Sequence, residues 1–148
     1  MTATRIRSAH ERRQEIQARA AALGIDEAFI DHMVEVFYQR VRAHTLLGPI
    51  FEEQIAGNWD PHLATMKAFW ASVAMNTGQY SGKPVPAHRK ISGVEPGHFD
   101  IWLGLFEATL NELTSNRACV DYFMERAERI ARSLKLAIFG IPALGAPA

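Results

Sequence analysis

Ser81-Gly82-Lys83-Pro84-Val85-Pro86-Ala87-His88 is the stretch on which the fold turns. Two prolines two residues apart fix φ and remove backbone donors, so no long helix can run through it. There is room for about one turn around His88. On both sides the apolar residues recur with helical spacing. Upstream, Trp59, His62, Leu63, Met66, Phe69, Trp70 and Val73 share one face, which predicts a helix with Asp60 as N-cap and Pro61 at its first position. Gly78 and Gly82 end it. Downstream, a helix is expected from near Pro96 that buries Phe99, Trp102, Phe106, Thr109, Leu110 and Leu113. Asn116 is then the expected N-cap of a last helix with Val120, Phe123, Ala127, Ile130, Leu134 and Ile138 inside.

Further upstream, Asp26 is the expected cap of a helix that buries Ile30, Met33, Val34, Phe37, Tyr38 and Val41, spaced 0, 3, 4, 7, 8, 11. His44 to Phe51 reads as a turn-rich corner broken at Gly48-Pro49, with Glu52-Glu53 on an irregular segment. Arg7 to Leu23 is rich in Ala, Arg, Glu and Gln with a thin apolar stripe, the pattern of a surface helix. The predicted fold class is all-α: four substantial core helices and one peripheral helix. Residues 1–23 form an N-terminal helical extension, 24–139 the main domain and 140–148 a flexible tail.

A chain of 148 residues fits one domain and buries about two-thirds of its unfolded surface, enough for a core and an internal pocket. Lys+Arg and Asp+Glu both number 16, which argues against nucleic acid or an anionic membrane as the main partner. The single Cys119 rules out an internal disulfide and a multi-cysteine metal site. No apolar run approaches the ~20 residues of a membrane span. The first residues turn charged at once and lack a signal-peptide apolar region. A cytoplasmic protein is the expectation.

Tyr38, His62 and Trp102 carry polar groups on faces that otherwise read as core. Each alone is ordinary packing, and His88 beside Arg89 and Lys90 is on its own a surface histidine. Together they place three N–H or O–H donors on three helices whose apolar faces converge. Burying them without a shared partner is costly, and a bound ligand that accepts hydrogen bonds removes the cost. A histidine on a stiffened segment facing such a pocket suits a haem iron, which takes one nitrogen ligand below the ring and donors above it. Other chemistries lack their signatures: there is no nucleophile elbow, HExxH or phosphate loop, and no helical carboxylate–histidine spacing for a di-iron site. Cys119 reads as a core or boundary residue. His10, His32, His44 and His98 have no assignable partners and read as surface residues.

Five segments in register resemble the truncated haemoglobins, most closely their third group. They are VFYQRVR (36–42), LLGPIF (46–51), WDPHLATMKAFW (59–70), YSGKPVPAH (80–88) and FDIWLGLFEATL (99–110). The resemblance spans about Gly24 to Phe139. Gly24, Gly78 and Gly82 stand singly, unlike the paired glycines of the first two groups. The resemblance implies a two-over-two helical sandwich around haem b, with His88 as the proximal iron ligand. It makes Tyr38, His62 and Trp102 the distal, ligand-stabilising residues. Phe51, Met66 and Phe69 are the implied haem contacts, with Lys83 and Arg89 as cationic candidates for the propionates by position only. The implied function is binding of O2, NO and CO at a five-coordinate haem iron, in the service of redox chemistry or sensing rather than bulk transport. NO dioxygenase and peroxidase-like activities fit that chemistry, and no catalytic residue is assigned. An unknown reductase or electron donor is the implied partner, and a monomer and a weak dimer are both open. The rival expectation is a haem-free all-helical interaction module in which the same faces are plain core.

Overall fold

A computed structural model describes residues 8–78 and 93–140. Six helices and no strand occur among the described residues: α1 Ala9–Ala22, α2 Glu27–Ala43, α3 Leu47–Ile55, α4 Trp59–Met75, α5 Pro96–Leu113 and α6 Arg117–Phe139. Helix α2 packs on α3, α4 and α5, α5 packs on α6, and α1 lies against α4.

Start and stop chemistry explains most boundaries. The Asp26 carboxylate accepts from the Phe29 N–H at 2.8 Å, as expected of an N-cap. Asn116 does the same for the Ala118 N–H at 3.1 Å. Ser8 and Glu11 close a capping box at the start of α1. Helix α5 begins at Pro96, with Glu95 as its cap.

Two boundaries differ from the expectation. Helix α4 starts at Trp59 behind Asn58, so Asp60 is in the first turn and Pro61 is the third helical residue rather than the first. A proline is tolerated there because the first N–H groups of a helix have no intrahelical acceptor. The Gly48-Pro49 corner is no breaker but the first turn of α3, for the same reason. The His44 Nδ1 receives the Leu46 and Leu47 N–H groups at 3.1 and 3.3 Å, which supplies the side-chain cap that Leu46 cannot. His44 therefore has partners, and Glu52 and Glu53 are helical rather than irregular.

The core joins Ile30, Met33, Val34, Phe37, Val41, Trp70, Phe106, Leu110, Val120 and Phe123, all nearly free of solvent. Trp70 stacks on Phe106 with centroids 4.8 Å apart, a geometry that adds to simple area burial. Buried Thr109 is satisfied, donating to the Leu105 carbonyl at 2.8 Å and accepting from Arg40 at 3.2 Å. At the far end, the Tyr122 hydroxyl donates to the Ala74 carbonyl at 2.7 Å, tying α6 to the end of α4. The Arg126 guanidinium is 3.5 Å from the centre of that ring and Arg19 of α1 is 5.4 Å away. The peripheral helix buries Ala20 only, in line with its thin stripe.

Candidate functional site

A cavity of about 320 Å³ lies among α2 to α6. Its wall is largely apolar: Leu47, Ile50 and Phe51 from α3, Met66, Phe69 and Trp70 from α4, Phe99 from α5, and Ile130, Leu134 and Ile138 from α6. Tyr38 of α2, His62 of α4 and Trp102 of α5 all border it. The three polar residues singled out on three helices thus reach one space, together with Phe51, Met66 and Phe69. His88, Lys83 and Arg89 lie outside the described residues.

Packing fixes each polar ring. Tyr38 is 4% exposed, with its ring edge-on to Phe37 at 5.0 Å, Phe51 at 6.0 Å and His62 at 5.2 Å. Burial pushes its hydroxyl well above the ordinary tyrosine range, because the phenolate cannot be solvated there. Tyr38 is therefore a hydroxyl at every physiological pH. Trp102 stacks parallel to Phe106 at 5.8 Å and meets Phe37 edge-on at 5.6 Å, so its indole is held by two core rings. The His62 ring is nearly perpendicular to both Tyr38 and Trp59, and its Nε2 is buried.

Three features escaped the sequence reading. His98 is not a plain surface residue: it borders the cavity, and its Nδ1 accepts the Glu95 N–H at 3.0 Å. The signal was present, since His98 is four residues before Trp102 and so shares its helix face. Gln54 and Thr65 add two more polar groups to the wall; Thr65 lies three residues after His62. Trp59 is more than core. Its indole Nε1 donates to a Glu52 carboxylate oxygen at 2.7 Å, and the Arg42 guanidinium is 4.4 Å from its ring centre. His10 and His32 are exposed, as expected.

Other sites find no support among the described residues. They hold no cluster of three metal-ligating side chains, and none of their helices is long and apolar enough to cross a membrane. Cys119 is buried, and burial raises its thiol pKa, which disfavours a reactive thiolate.

No family model matches the chain. It is 34% identical over 110 residues to a group 3 truncated haemoglobin, ctb, of Campylobacter jejuni subsp. jejuni, covering 72% of this chain and 86% of that protein. It also superposes on the crystal structure of a group III truncated haemoglobin from Campylobacter jejuni. The TM-score is 0.73 at 32% identity, over 78% of this chain and 92% of the other.

Proposed function

We propose, for a chain that belongs to the group III truncated haemoglobins, that the cavity holds haem b, with His88 as its proximal ligand and Tyr38, His62 and Trp102 facing the gas. Truncated haemoglobins bind diatomic gases at haem, and the walls of this cavity suit such a group. Four helices, α3 to α6, supply apolar surface for a flat hydrophobic ring, and the polar side chains are few. Haem, when bound, supplies an iron that takes up O2, NO or CO and exchanges electrons.

The observation that carries the reading is the convergence of Tyr38, His62 and Trp102 from three helices on one cavity. Tyr38 is kept protonated by burial, and an indole N–H can only donate. These two side chains therefore present donors to a ligand whose outer atom carries partial negative charge, as oxyanion-hole donors do. Each such bond contributes on the order of 1.5–3 kcal/mol, roughly 10- to 100-fold in a dissociation rate. Two donors hold O2 too tightly for delivery. That favours redox chemistry on O2, NO or peroxide, or sensing, with electrons from a separate reductase in the cytoplasm. Phe51, Met66 and Phe69 would pack on the ring. Lys83 and Arg89 are the proposed propionate partners.

Trp102→Phe tests the reading, since it keeps an aromatic body and deletes the donor. O2 dissociation is expected to rise about 10-fold or more, and CO, which carries less negative charge when bound, to leave at a nearly unchanged rate. Equal shifts for both gases would reduce Trp102 to a wall of the cavity.

A further inference from the structure

We infer that Trp59 is a positioning residue for His62, latched from the protein surface by Glu52 and Arg42. The inference rests on the reading of the cavity as a gas site and adds to it a control element outside the cavity lining.

The geometry links three helices through one indole. Trp59 opens α4 and is 5% exposed. Its Nε1 donates to the Glu52 carboxylate of α3 at 2.7 Å, and the Arg42 guanidinium of α2 covers its ring at 4.4 Å. Both latching side chains belong to exposed residues. On its inner side Trp59 meets the His62 ring at 90° with centroids 5.9 Å apart, and Tyr38 at 6.3 Å. His62 is thus held in a corner between Tyr38 and Trp59, one residue of the cavity wall and one residue outside it.

Trp59 does not line the cavity, so filling the cavity wall does not account for its bonds. A charge-assisted hydrogen bond and a cation over the ring fix the indole in plane and in tilt. Residue 59 is three positions before 62, so the two side chains share a helix face. When the indole is held, one edge of the His62 ring has a fixed wall. When it is released, His62 loses that wall and gains conformations that turn away from Tyr38 into the space the indole vacates. The latch therefore shifts the population of the His62 ring between inward and outward positions, and with it the access of ligand to the cavity.

Glu52→Ala removes the acceptor, and Glu52→Gln restores a neutral one. Both are studied as the haem-loaded full chain, after confirming that the unaltered chain takes up haem. Failure at that step counts against the gas-site reading and leaves the latch to be decided by the second readout. In the loaded protein, Glu52→Ala is expected to speed CO association by about 3-fold or more, with Glu52→Gln in between. That is a fraction of the roughly 10- to 100-fold that one charge-assisted bond is worth, because the latch acts only through His62. In a His62→Ala background the same substitution is expected to have no effect, because the latch acts through His62. In the haem-free chain, the His62 ring resonances should move and broaden in Glu52→Ala. Unchanged association together with unchanged ring resonances would overturn the inference. An equal effect with and without His62 would also overturn it, by showing that Glu52 acts on the fold alone.

Discussion

Tyr38, the proposed donor to the gas, also bears on stability as a buried side chain. Its ring packs against Phe51 and His62, and burial raises the pKa of its hydroxyl in the folded chain above the unfolded value near 10. The neutral form is the one the fold accepts. Below pH 10 both states are protonated and the full stability is present. Above it the unfolded chain releases the proton first, so stability falls as pH rises, by up to ~1.4 kcal/mol per unit for this one group. Tyr38→Phe has no proton to lose. Urea unfolding of the two proteins from pH 9 to 11 should therefore show the stability of the unaltered chain falling relative to the mutant above pH 10. Parallel curves would mean that the hydroxyl reaches water.

At the scale of the element, α3 is the instructive case. Gly48-Pro49 reads in sequence as a break, yet it forms a helix start, because Pro49 occupies a position whose N–H has no helical acceptor and His44 caps from the side. Local rules anticipated where α2, α5 and α6 begin, since Asp26, Pro96 and Asn116 act within their own turns. They failed where tertiary contact decides. A Cβ at Gly48 would stand 2.5 Å from the Arg42 carbonyl oxygen, a close approach of α3 to the end of α2 that no sequence pattern displays. Gly48→Ala must push backbone aside, and a loss of about 1–3 kcal/mol is expected from thermal or urea unfolding. A mutant as stable as the parent would show that the α2–α3 corner gives way freely. The site divides in the same way. Periodicity put Tyr38, His62 and Trp102 on inner faces, and the structure brings them to one cavity. The Glu52–Trp59–Arg42 group joins α2, α3 and α4 by side-chain reach, and a one-dimensional pattern carries no trace of it.

For the whole molecule, the helices are arranged around a space rather than merely against each other. Trp70, Phe106 and Phe123 fill one side of the interior in close aromatic contact, while α2 to α6 leave about 320 Å³ bounded by apolar side chains and by the Tyr38, His62 and Trp102 edges. Those apolar side chains are the surface that a flat hydrophobic ring would cover, and the few polar edges are where a bound gas would be met. The direct measurement is the ultraviolet–visible spectrum of the purified chain titrated with haemin and then reduced. A haem-binding chain gives a Soret band that saturates at one equivalent and shifts on addition of CO, while absorption that only follows free haemin would contradict a haem site in this cavity.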